Sequence, residues 1–215
     1  MAFTPAINNV VLSIYPKYIG NYSNIIKAAN LNPGSQLNPA DLVNVVGEVV
    51  AVPKEIAQGK FAFQGFTTKD IEVGDTALLR FDVVFDMVEQ EFSDVPLYRN
   101  LVWYKGKEYW LASIDKVYAV IKKESKSIKM LNGYVMLEDL EPEQRIYMPQ
   151  YSKRISRAKE ATLAQIGNTK AGETKIEAFP GDRVLVHPYR LTHYQVNGKK
   201  YSITEARHIM GRVLN

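Results

Sequence analysis

The sequence predicts an all-β chain made of two small β-barrels in tandem. Blocks of sequence recur in the same order in the two halves. The blocks are short and rich in β-branched residues, as strands are. Turn signals separate them and helical periodicity is sparse, a pattern typical of small barrels and sandwiches.

Four blocks are matched. Val10-Val11-Leu12 answers Tyr134-Val135-Met136, and Gly47-Glu48-Val49-Val50-Ala51-Val52 answers Ala161-Thr162-Leu163-Ala164-Gln165-Ile166. Val73-Gly74-Asp75-Thr76-Ala77-Leu78-Leu79 answers Pro180-Gly181-Asp182-Arg183-Val184-Leu185-Val186. Gly106-Lys107-Glu108-Tyr109-Trp110-Leu111 answers Gly198-Lys199-Lys200-Tyr201-Ser202-Ile203, and this match runs on without a gap to Val120 and Arg212. Chance explains any one of these easily and all four in order poorly.

Val10 to Tyr15, Gly47 to Val52, Thr76 to Phe81 and Arg183 to His187 are expected as strands. The Gly-Asp steps at Gly74-Asp75 and Gly181-Asp182 are expected as turns, where glycine takes positive φ freely. Asn197-Gly198 is a strong two-residue hairpin signal, and Lys105-Gly106 is a weaker one. Ser113 to Lys122 and Thr204 to Val213 are each expected to hold one short helical turn before a final strand.

The first copy is longer. Tyr18 to Asn44, rich in Asn, Pro, Gly and Ser, is expected as a long loop. Asp82 to Val102 alternates acidic and apolar residues and is expected as an extra hairpin or an edge strand. The charged stretch from Lys122 to Lys129 is expected as the connector, dividing the chain into 1–125 and 126–215.

The composition excludes several chemistries. With no cysteine there is no disulfide, thiolate nucleophile or Cys-ligated metal site. The net charge of +4 does not argue for nucleic acid as a partner. Met1-Ala2-Phe3-Thr4-Pro5 has neither a basic nor an apolar leader region, and no apolar run reaches the ~20 residues of a membrane helix. The expectation is a cytoplasmic protein with no membrane contact.

His187 and His193 could meet near Asp182 as a metal or acid–base cluster, but polar residues at a strand end and in a loop are expected instead. Asp82, Asp86, Glu89, Glu91 and Asp94 lack the spacing of a cation loop and are expected as a solvated insertion. Asp75 and Asp182 are expected to serve their turns. There is no Gly-x-Ser-x-Gly, P-loop or Gly-x-Gly-x-x-Gly, so no enzyme activity, cofactor or metal is expected. Lys153 to Lys159, beside Tyr147 and Tyr151, could suit single-stranded nucleic acid, though a solvated loop or subunit contact is the stronger expectation. The 13 tyrosines point to protein–protein surfaces.

Taken in order, the blocks resemble the GroES-type co-chaperonin family. The second copy carries the resemblance best, through Arg145-Ile146-Tyr147-Met148-Pro149, Ala161-Thr162-Leu163-Ala164-Gln165-Ile166-Gly167 and Pro180-Gly181-Asp182-Arg183-Val184-Leu185-Val186. The resemblance implies two tandem GroES-like small β-barrels, a homo-oligomeric ring and a chaperonin ring as partner. It also implies that an apolar tripeptide in a loop docks on that partner. The matching positions are Ile25 and Ile26 in the first copy and Ile146, Tyr147 and Met148 in the second. Lys27 stands where the first tripeptide would end, and neither copy has the Gly-Gly that precedes the family's tripeptide. These departures favour a second reading, in which the barrel is reused as a structural component of an assembly such as a virion or capsid. A nucleic-acid-binding barrel is a weaker third.

Overall fold

The computed structural model describes residues 8–14, 45–57, 65–85, 87–90, 93–139, 158–169, 176–187, 191–196 and 198–213, with backbone alone at 85, 87–90, 93–98 and 139. In chain order, β1 (Asn9–Ile14), β2 (Val45–Ala51) and β3 (Thr76–Leu79) lead to one helical turn, α1 (Asp82–Phe85). Then come β4 (Met87–Gln90), β5 (Ser93–Tyr98), β6 (Leu101–Tyr104), β7 (Lys107–Ser113), β8 (Val117–Ile121) and β9 (Ile128–Met130). The rest are β10 (Tyr134–Asp139), β11 (Lys159–Ile166), β12 (Arg183–Val186), β13 (Thr192–Val196), β14 (Lys199–Glu205) and β15 (Ile209–Arg212). The described chain is all-β, as expected. It forms one sheet in the order β6-β7-β1-β2-β3-β8-β9, a second in the order β13-β14-β10-β11-β12-β15, and the separate hairpin β4-β5. The acidic insertion thus supplies the separate hairpin and leads into the edge strand β6, which holds the place of β13 in the second sheet.

The two sheets share one strand order, and their irregularities recur too. The β1–β2 ladder slips between Val11 and Leu12, and the β10–β11 ladder between Met136 and Leu137. The β3–β8 ladder slips between Leu78 and Leu79, and the β12–β15 ladder between Leu185 and Val186. A 3-10 turn precedes the last strand in each, at Ile114–Lys116 and Ala206–His208. Both hairpin signals are realised: Lys105 and Gly106 hold φ of 50° and 73° between β6 and β7, and Gly198 holds 79° between β13 and β14. The first pair has the positive φ at both centres that a type I′ hairpin needs.

The first block must be realigned by one residue. Val11 lies opposite Leu111 and Met136 opposite Ile203, so Val11 answers Met136 rather than Val135. A one-residue slip moves every side chain to the other face. Here the sequence could not reveal it, because the strands are buried on both faces. Val10, Val11 and Leu12 are fully buried, as are Val135 and Leu137, so no polar alternation marks the register.

Three apolar clusters hold the molecule. Leu12, Val49, Leu79, Trp110 and Ile114 belong to the first sheet's own core, and Leu137, Leu163, Val184, Val186 and Leu191 to the second's. The third joins the sheets: Leu78, Tyr118 and Met130 pack against Tyr134, Met136, Tyr194 and Ile203. A fully buried side chain of this size contributes ~1.5–3 kcal/mol.

The stretch from Lys122 to Lys129 is not a plain connector. It closes a hairpin between β8 and β9, with Lys122 N–H donating to the Ser127 carbonyl at 2.9 Å and Lys126 at φ 56°. The first sheet therefore keeps the chain as far as Met130, past the division expected at 125/126. The crossing itself, Leu131-Asn132-Gly133, is tied to both sheets. Leu131 N–H donates to the Tyr118 carbonyl at 3.0 Å, and Gly133 N–H to the Asn168 carbonyl at 2.7 Å.

Gly167 lies against this crossing. A Cβ there would stand 2.7 Å from the carbonyl carbon and oxygen of Leu131. Those are backbone atoms, which cannot swing aside. Gly167→Ala is expected to cost about 1–3 kcal/mol by overpacking, read from the urea unfolding midpoint. An unchanged midpoint would refute the close approach.

Candidate partner-docking site

The five candidate docking residues lie outside the described residues: Ile25 and Ile26 in 15–44, and Ile146, Tyr147 and Met148 in 140–157. What the structure describes is where these segments are anchored. The first leaves β1 at Ile14 and returns at Val45 on β2, with Ile14 opposite Gly47. The second leaves β10 at Asp139 and returns to β11, with Asp139 opposite Ala161. Each segment thus joins neighbouring antiparallel strands, and the two joins are equivalent in the shared strand order. A connection mounted on a rigid sheet is the usual place for recognition residues.

The two bases differ in detail. A Cβ at Gly47 would meet Ile14 Cγ1 at 3.0 Å, so glycine lets the chain pack closely under the first segment; the second base has Ala161. Two ion pairs flank the second base. Lys199 Nζ lies 2.7 Å from Glu138, and Arg183 Nη2 lies 2.6 Å from Glu160. The hydrogen bond that Lys199 donates to Glu138 raises the ammonium pKa above its ordinary value. Such exposed pairs add little stability.

The repeated Gly-Asp steps are turns, as expected. Gly74 N–H donates to the Val49 carbonyl at 2.8 Å, and Gly181 N–H to the Leu163 carbonyl at 2.7 Å. Asp75 is buried and accepts from Glu72 N–H at 2.9 Å, Lys123 N–H at 3.0 Å and Lys122 Nζ at 2.7 Å. Burial alone would raise its carboxyl pKa; the hydrogen bonds outweigh that and hold it below the ordinary value. Asp182 accepts from Phe179 N–H at 2.9 Å and pairs with Arg212 at 3.5 Å.

His193 Nδ1 lies 2.9 Å from Ser202 Oγ, and His208 Nδ1 lies 3.0 Å from Thr204 Oγ1. His187 meets His208 through its backbone N–H, at 3.4 Å from the carbonyl. Among the described residues, no group of three or more His, Asp or Glu is arranged to hold a metal ion. Asp82 of the acidic insertion pairs with Arg80 at 3.3 Å and Lys116 at 3.2 Å. Asp86 and Glu91 lie outside the described residues, as does most of the basic stretch up to Arg157.

Tyr118, Tyr134 and Tyr194, to which no motif assigns a role, join the two sheets. The Tyr118 ring meets Tyr134 edge-on at 4.8 Å and Tyr194 edge-on at 5.9 Å. Tyr194 donates its hydroxyl hydrogen to the Leu79 carbonyl, and Tyr134 donates to the Asp115 carbonyl at 2.7 Å. Burial raises the pKa of all three hydroxyls. A signal was available: by register, Met210 answers Tyr118 and Val102 answers Tyr194, so the tyrosines stand where the two copies differ.

A family model described as the Chaperonin 10 Kd subunit matches residues 127–213. This segment is therefore similar to a GroES-like domain. It comprises the second sheet together with β9, the strand that this domain lends to the first sheet. The matched family consists of co-chaperonins, which act with a chaperonin and are not enzymes. No curated protein matches the chain. No helix among the described residues is long and apolar enough to cross a membrane.

Proposed function

We propose that the chain is a non-enzymatic, co-chaperonin-like protein of two GroES-like domains, 1–125 and 126–215. It docks on a chaperonin ring through Ile25 and Ile26 of one connection and Ile146, Tyr147 and Met148 of the other. It works in the cytoplasm as a homo-oligomeric ring. The observation that supports this best is the repetition of strand order, ladder slips and 3-10 turns in both sheets. Both candidate segments join strands that correspond in the two copies, and one of the two copies matches the family model.

Each docking residue that enters an apolar groove contributes ~1.5–3 kcal/mol. A ring multiplies modest single contacts into avidity. The test is capture of the protein on an immobilised chaperonin with and without nucleotide. Nucleotide-dependent capture is expected, and Ile146→Asp should reduce it at least about tenfold. Failure of capture under every nucleotide condition would overturn the proposal. Co-purification with a particle instead would favour the structural reading that Lys27 supports.

A further inference from the structure

The strands β6 and β13 are equivalent edges of opposite character. Neither has a strand on its outer side among the described residues. By register Leu101 answers His193, and Trp103 answers Gln195. His193 and Gln195 are exposed polar residues. Trp103 is 67% exposed, and Leu101 is only partly buried against the first core. Natural edge strands carry charges, proline or bulges that block pairing. Leu101-Val102-Trp103-Tyr104 has neither charge nor proline, and its ladder to β7 runs without a slip.

The same ladder shows which backbone groups face outward. Leu111 N–H donates to the Asn100 carbonyl at 2.8 Å, so these residues form a bonded pair. Bonded and non-bonded pairs alternate in an antiparallel ladder. Leu101 opposite Trp110 and Trp103 opposite Glu108 are therefore non-bonded pairs. The N–H and C=O of Leu101 and Trp103 point away from β7.

We propose that β6 pairs with β6 of a second copy of the chain, antiparallel about a two-fold axis at Val102. In this register Leu101 lies opposite Trp103 of the second copy, and Trp103 opposite Leu101 of the second copy. Each outward N–H meets an outward carbonyl, and none is left over. The outward residues flank Val102 evenly, so the edge is its own complement, as a two-fold contact requires. The Trp103 indole leaves water to cover the partly buried Leu101 of the second copy. On β13 the same register sets His193 against Gln195, with no apolar area to bury.

The strand β6 has only four residues, so the contact covers far less than the ~1,200 Å² of a stable interface. Arg99 also approaches Lys105 of the second copy, and salt screens that repulsion. Pairing is therefore weak, is expected at high protein concentration and strengthens with salt. The proposal rests neither on chaperonin docking nor on a ring.

The chain has no cysteine and two tryptophans, of which Trp110 is 2% exposed. Val102 lies on the axis opposite itself, a non-bonded position with Cα atoms ~4.5 Å apart, within disulfide reach. Under mild oxidation, Val102→Cys is expected to give linked dimers on a denaturing gel, more of them as salt is added. Gln195→Cys, on the equivalent edge, is expected to give about tenfold less. Adding Trp103→Lys to Val102→Cys puts a charge on the edge and should cut the linked yield about tenfold or more. In the natural sequence, tryptophan emission is expected to move to shorter wavelength as concentration rises, reporting Trp103. Equal linkage from Gln195→Cys, or a yield unmoved by Trp103→Lys, would overturn the proposal. Emission already typical of a buried indole in dilute solution would overturn it too, because the edge would then be covered from within the chain.

Discussion

Tyr194→Ala is expected to lower unfolding free energy by about 3–5 kcal/mol, the range for removing a large buried aromatic ring. Tyr194 is 2% exposed and packs among residues of both sheets. Its loss removes the edge contact with Tyr118 and leaves the Leu79 carbonyl without the hydroxyl it accepts from. Tyr194→Phe keeps the ring and loses only the hydrogen bond, so about 1 kcal/mol is expected. Urea unfolding of both variants checks this, and an alanine variant costing no more than the phenylalanine one would refute the packing role of the ring. The pH profile follows from the same residues. A hydroxyl whose pKa is raised by burial supports the fold fully below the ordinary tyrosine value of 10.0. That support is lost as pH climbs beyond it, because the unfolded chain ionises first.

Asp75→Ala is expected to cost about 3–5 kcal/mol, because a half-buried Lys122 is left without its buried partner. Two backbone N–H donors, of Glu72 and Lys123, also lose their acceptor. Asp182→Ala removes the equivalent carboxylate from a more open place, with its side chain 26% exposed against 1% for Asp75. The second variant should therefore cost clearly less. Equal losses in a paired denaturation experiment would refute the account. Since the Asp75 carboxyl is held below 3.8, its contribution is present above that value and fades as pH falls through the folded-state value. Lys122 is held above 10.5 against desolvation by its bonds to Asp75 and Glu72, so its share fades as pH rises past that point.

Much of the fold was legible because local chemistry fixes it. Asn197-Gly198 specifies a tight hairpin wherever it stands between strands, and the Gly-Asp steps specify turns in both copies. The 3-10 turns before β8 and β15 fall where two weakly helical stretches were expected. The β8–β9 hairpin was hidden because no glycine or asparagine marks its left-handed position; Lys126 holds it. The tyrosine joint was hidden for a different reason. A strand's outward face shows in sequence only when water covers it, and here another sheet does. The candidate docking segments rest on the resemblance alone, since Ile25-Ile26 and Ile146-Tyr147-Met148 carry no periodicity of their own.

The strand β9 belongs by sequence to one domain and by hydrogen bonding to the other's sheet. Because a covalent bond holds donor and acceptor together, that joint forms at a fixed effective concentration, in the millimolar range for a short tether. Dilution cannot open it. Every chain therefore carries that contact already closed, whatever the protein concentration.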